Sequence, residues 1–189
     1  MTNTRQLILV VTSLLASWLG MQEVHELGHV IGAMISGGHV SCVVLHPLSI
    51  SRTDLSENPH PLLVVWAGPI LGSLIPVAIW ATAIWRHLRE AFLARFFAGF
   101  CLVANGLYIG IGAFDRVGDC GEMLKHGSPT WWLWLFGALA APLGLLLWHR
   151  QGRYFGWGPE SLEITNHSLI ISVSACFLLI LMGWLHGDC

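Results

Sequence analysis

Five stretches of the chain consist almost entirely of apolar residues, and polar or glycine-containing segments separate them. The first runs from Leu7 to the Gly37-Gly38 pair, and the others span residues 62–85, 96–113, 131–148 and 168–185. A transmembrane helix needs about 20 consecutive, mainly apolar residues, and each stretch has about that length or more. The pattern predicts an all-α polytopic membrane protein with about five transmembrane helices.

The segment after the first helix has a different character. Val40–Leu45 is rich in β-branched residues and is followed by Pro47, whereas residues 49–58 are polar. This composition predicts a short β-type strand or hairpin and then a loop. Such an element could offer an edge on which an extended peptide pairs, and an ordinary connecting loop is the alternative.

Composition agrees with a protein that lies in the lipid bilayer. Of the 189 residues, 54% are hydrophobic and 11% are charged, and the mean hydropathy is +0.66. About a quarter of the residues in an ordinary soluble chain are charged. We therefore expect an integral, multi-pass protein of the cell membrane, formed by a single domain over residues 1–189. The first apolar run resembles a signal peptide, but no small-x-small cleavage site follows it, which predicts a retained helix.

Charge gives no sign of a nucleic-acid partner. The formal net charge is -2, and the chain contains no basic run. Proteins that bind nucleic acid usually carry a basic patch or stripe. We therefore expect no nucleic-acid partner.

The chemistry of the chain is concentrated in His25-Glu26-Leu27-Gly28-His29, near the end of the first apolar stretch. Residues four positions apart lie on one face of a helix, so His25 and His29 can direct two imidazole nitrogens to one point. That point suits a zinc ion, and Glu26 beside it can accept a proton from the attacking water. Ionisable residues inside apolar segments are costly and usually functional.

A catalytic zinc needs three protein ligands and one open position, so a third ligand must come from elsewhere in the chain. Asp119 is the first choice, because Gly118 and Gly121 let the backbone bend closely around a metal. Asp115 is the second, although a surface ion pair with the adjacent arginine would also explain it. Glu122 lies one helical turn after Asp119, and a solvated or helix-capping carboxylate explains it better than a metal ligand does.

The combination of motifs resembles the site-2 protease family of intramembrane zinc metalloproteases. The resemblance rests on the His25–His29 motif in an early transmembrane helix, Gly37-Gly38 with a short β-type segment, and Ala67-Gly68-Pro69 in the next span. It covers about the first two thirds of the chain. The family's usual Leu-Asp-Gly is replaced here by Gly118-Asp119-Cys120-Gly121.

The resemblance implies a helical bundle that cleaves peptide bonds in or near the transmembrane helix of a membrane-protein substrate. It implies that His25, His29 and an aspartate after the third span, Asp119, bind Zn2+, and that Glu26 is the catalytic base. Asn105 is loosely similar to the family's asparagine upstream of the aspartate. It is expected to hold the substrate strand or the oxyanion, or else to bond a neighbouring helix.

Two other functions are compatible with the sequence. One is a zinc-dependent membrane hydrolase of a non-protein substrate, and the other is a non-catalytic metal-binding membrane protein. A closed structural zinc site usually has four Cys or His ligands, whereas here two histidines are pre-arranged beside a glutamate. This difference favours an enzyme over a structural metal site.

Two considerations predict opposite orientations in the membrane, and both orientations stay open. The charge rule places the more basic set of loops, together with the N-terminus, in the cytoplasm. Site-2 proteases generally keep the metal site accessible from the cytoplasmic side, which implies that the N-terminus lies on the opposite side of the membrane. The residues on the more basic side are Arg5, Arg86, Arg89, Arg95, Arg150 and Arg153, against Arg52, Arg116 and Lys125 on the other.

Overall fold

The chain folds as a bundle of α-helices with one small sheet. The computed structural model describes residues 4–186. In this range lie six α-helices, two strands and a 3-10 helix, Gln151–Phe155. The α-helices and strands are α1 Thr4–Ile35, β1 His39–Val44, β2 Arg52–Glu57, α2 Pro61–Trp85, α3 Ala91–Asp115, α4 Gly118–Lys125, α5 Thr130–Trp148 and α6 Asn166–Leu185. The predicted all-α architecture with a β-type segment after the first helix is confirmed.

Five of the six described helices, all but α4, are long and apolar enough to cross a membrane. Each of them exposes large apolar side chains, which water would disfavour and lipid accepts. Examples, one from each long helix, are Leu14, Leu74, Ile111, Leu146 and Phe177. The chain is therefore a multi-pass membrane protein.

Glycine and proline set the boundaries of the first two helices. Gly37 has a φ of 76°, a left-handed conformation that glycine adopts without steric cost, and Gly38 N–H donates to Ala33 O at 2.8 Å. This bond satisfies a carbonyl at the end of α1. Pro61 begins α2, where a missing backbone N–H costs no intrahelical bond. The hairpin fills the interval between these boundaries.

The hairpin extends further than its sequence indicated. Strand β2 occupies residues that we expected to form a loop, and it pairs antiparallel with β1, with Thr53 opposite Val43. Val44 is buried, and Leu45 N–H donates to His186 O at 3.1 Å. The hairpin is thus held against the ends of α1 and α6.

Helix α1, which carries the His25–His29 motif, is central in the bundle. It contacts α2, α3, α6 and both strands. Helix α3 packs closely on α5 through glycines, since a Cβ added at Gly137 would lie 2.7 Å from the Cα of Gly110. Small residues allow such close approach of membrane helices. The bundle therefore places α2, α3 and the hairpin around the motif-bearing half of α1.

A candidate metal centre between three helices

Helix α1 directs three ionisable side chains into the protein interior. His25, Glu26 and His29 are each less than 9% exposed. Because His25 and His29 are one helical turn apart, their Nε2 atoms lie 3.1 Å from each other. Two buried nitrogens that face each other at this distance are close enough to bind one metal ion.

Asp119 completes the group. It lies in the first turn of α4, and its Oδ2 is 2.8 Å from His25 Nε2 and 3.4 Å from His29 Nε2. Within residues 4–186, these three residues are the group of side chains whose ligand atoms converge closely enough to hold a metal ion. Two atoms bound tetrahedrally to zinc at about 2.0–2.1 Å stand about 3.3 Å apart. The donor set and its spacing therefore fit a zinc ion that keeps one position open.

The other ring nitrogen of each histidine has a partner that fixes the ring. His25 Nδ1 lies 2.7 Å from Asn105 Oδ1, and His29 Nδ1 lies 2.9 Å from Val64 O. When Nδ1–H donates to these oxygens, the lone pair of each Nε2 is free for a metal. Partners of this kind set the tautomer and the orientation of metal-binding histidines.

Asn105 has both ends of its amide occupied. It is 1% exposed, and while its Oδ1 faces His25, its Nδ2 donates to Cys101 O at 2.9 Å. The side chain therefore bonds a neighbouring helix, which is one of the roles that the sequence left open. Contact between Asn105 and a substrate stays a prediction.

The surroundings of Asp119 keep its carboxylate ionised. Burial alone would raise the pKa of Asp119, but the hydrogen bonds to His25 and His29 outweigh burial and hold the pKa well below its ordinary value. The backbone N–H of Asp119 donates to Tyr108 Oη at 3.1 Å, which ties the start of α4 to α3. A fixed anion facing two imidazoles is an arrangement that attracts a cation.

Glu26 has a partner that sequence reasoning missed. Thr53 Oγ1 donates to Glu26 Oε2 at 2.8 Å, across 27 positions of the chain. Thr53 lies in β2, and no local pattern of residues 49–58 connected it with the motif. Nothing in the sequence marked Thr53, because it lies in the polar residues that we expected to form a loop.

Glycines allow α1 and α2 to approach closely beside His29. A Cβ added at Gly28 would lie 2.5 Å from Ala67 O, and a Cβ added at Gly68 would overlap the imidazole of His29. The Ala67-Gly68-Pro69 motif thus has a physical role here, because Gly68 leaves the space that the His29 ring occupies.

Replacing Gly68 with Ala is expected to lower zinc affinity by about 10-fold or more, as is typical when the support of a metal ligand is lost. The added methyl group must displace the His29 ring. Competition with a chromophoric chelator measures the affinity, and circular dichroism reports whether the helices persist. Gly152→Ala is the control, because its nearest neighbour would be 3.5 Å away. Wild-type affinity in a folded Gly68→Ala protein would contradict this role.

A cavity of about 890 Å³ opens onto His25, His29, Asp119 and Glu26. Its walls are mainly apolar, and α1, α2, α3, α4 and the hairpin all contribute. Apolar lining residues include Trp18, Met21, Ile50, Leu55, Val64 and Val65. This volume is within the range of ligand-binding pockets, which is about 300–1,000 Å³.

The other carboxylates considered from the sequence, Asp115 and Glu122, are outside the group of converging ligand atoms. Asp115, the second choice for third ligand, is exposed at the end of α3 and is not in the group of converging ligand atoms. Glu122 is in the cavity wall, where it pairs with Lys125 and His126. These partners of Glu122 lie at the surface.

Comparisons with known proteins do not add a relative. No family model, curated protein or solved structure matches the chain. The interpretation of the site therefore rests on the residues and their geometry.

Proposed function

We propose that this chain is a membrane-embedded zinc metalloendopeptidase of the cell membrane, which cleaves peptide bonds in or near the transmembrane segments of membrane proteins. The observation that supports it best is the convergence of His25, His29 and Asp119 beside Glu26, inside a bundle of membrane-spanning helices. The similarity of these motifs to the site-2 protease family supports the same proposal. Other zinc hydrolases use three protein ligands and a nearby carboxylate in this way.

The residues of the chain have separate roles in this proposal. His25, His29 and Asp119 would hold Zn2+, which when bound would make a water more acidic and polarise the scissile carbonyl. Glu26 accepts the proton of the attacking water and later donates it to the leaving amine. The partners at His25 Nδ1 and His29 Nδ1 keep both rings in the tautomer that binds a metal.

The substrate must reach the site in an extended form. A helix hides its peptide bonds in backbone hydrogen bonds, so a transmembrane segment has to unwind before it is cut. Among the described residues the sheet has two strands, so β2 pairs with β1 along one edge only. Arg52, Thr53 and Leu55 of β2 line the cavity. The unwound stretch would pair with the other edge of β2.

Removal and restoration of zinc test the proposal directly. The protein is purified in lipid, stripped with a chelator, and assayed against a panel of single-span substrates before and after Zn2+ is added back. We expect about one zinc per chain, cleavage with the metal, and loss of cleavage without it. Circular dichroism controls for the fold of the stripped protein.

Two results would contradict the proposal. A folded protein that binds no zinc would leave the His25–His29 motif without its metal. A zinc-loaded protein that cuts no polypeptide but hydrolyses lipids or small amides would instead be a hydrolase of a non-protein substrate.

A further inference from the structure

The hydrogen bond between Thr53 and Glu26 joins two parts of the chain with different roles. Glu26 belongs to α1, whereas Thr53 belongs to the hairpin, 27 positions later in the chain. Thr53 Oγ1 also lies 3.5 Å from the backbone oxygen of Glu26. The Thr53 hydroxyl therefore lies next to Glu26, in the wall of the cavity.

We propose, on the basis of the proposed function, that Thr53 is a positioning residue for Glu26 and that the docked hairpin completes the active site. A hydroxyl that donates to Oε2 restrains rotation of the carboxylate. With Oε2 engaged, Oε1 is the oxygen that accepts the proton from water. Bases act efficiently only when they are held within hydrogen-bond reach of the proton they remove.

The hairpin can deliver the hydroxyl only when it is docked. Val44 is buried and Leu45 N–H donates to His186 O, so β1 is fixed to the bundle, and the pairing of Val43 with Thr53 fixes β2 to β1. The same strand would pair with the unwound substrate. Substrate binding on β2 and alignment of the base therefore depend on one element.

The test compares Thr53→Val with Thr53→Ser in steady-state cleavage of a transmembrane substrate. Valine keeps the shape and removes the donor, whereas serine keeps the donor. We expect Thr53→Val to lower kcat by about 10- to 100-fold, as is typical when a supporting hydrogen bond in a metal site is lost. KM and zinc content should stay near the wild-type values, and Thr53→Ser should restore most of kcat.

Thr82→Val is the matched control, because it makes the same substitution at an exposed threonine of α2, whose hydroxyl donates to Ala78 O. Its kcat should equal that of the wild type. Equal kcat for Thr53→Val and the wild type would overturn the positioning role, and so would a Thr53→Ser variant as slow as Thr53→Val. In both cases the wild type still cleaves, so the proposed function would survive. A zinc-loaded wild type that cleaves nothing would overturn both proposals.

Discussion

Replacing Glu26 with Gln should lower cleavage by about 10²- to 10⁴-fold, the usual contribution of a general base. Glutamine has nearly the same shape as glutamate, and its amide oxygen can still accept the hydrogen bond from Thr53. It cannot take a proton from water at neutral pH. Because Glu26 is outside the group of ligand atoms formed by His25, His29 and Asp119, zinc content should not change.

The measurement combines kcat for a transmembrane substrate with elemental analysis of zinc in the same preparation. Glu163→Gln is the matched control, because this carboxylate is exposed in the connection before α6. A Glu26→Gln protein that cleaves at the wild-type rate would show that Glu26 is not the base. Loss of zinc in the variant would indicate instead that Glu26 supports the metal site.

The five membrane-spanning helices could be predicted from the sequence because a bilayer requires long apolar segments. The five long helices begin and end within about five residues of the limits that the sequence predicted. The third span shows the largest difference: it begins at Ala91, because residues 91–94 are apolar and the single charge of Arg95 does not interrupt the helix. The two histidines and Glu26 were equally predictable, since their relation depends only on helical periodicity.

Strand β2 and helix α4 were not predicted, for a different reason. Arg52–Glu57 has one large apolar residue, Leu55, and takes its structure from pairing with β1. The glycines of α4 indicated a turn. In the folded chain, the lack of a side chain at Gly121 leaves room for the Arg116 carbonyl, because a Cβ there would lie 2.5 Å from Arg116 O.

Local pattern did not predict the contacts of Asn105 and Thr53 with the motif, because each lies far along the chain, and Asn105 was a candidate only through the family resemblance. Asn105 meets His25 across 80 positions, and Thr53 meets Glu26 across 27. Local periodicity carries no information about such contacts. They depend on how α3 and the hairpin pack against α1, which only the tertiary structure supplies.

Replacing Asp119 with Ala should remove zinc binding almost completely, and cleavage with it. The substitution deletes one of three ligands and leaves the Nε2 atoms of His25 and His29 alone, 3.1 Å apart. Loss of a group that merely supports a ligand costs about 10- to 100-fold in metal affinity, so loss of a ligand itself should cost at least about 100-fold. Zinc retained after dialysis against a chelator measures the effect.

Asp115→Ala provides the matched control, because Asp115 is an exposed aspartate four positions earlier, at the end of α3. Its zinc content and cleavage should equal those of the wild type. Unchanged zinc in Asp119→Ala would mean that the third ligand lies elsewhere, and loss of zinc in Asp115→Ala would assign the role to Asp115. Loss confined to Asp119→Ala would tie the short helix α4 to the metal, because Asp119 is the residue through which that helix reaches His25 and His29.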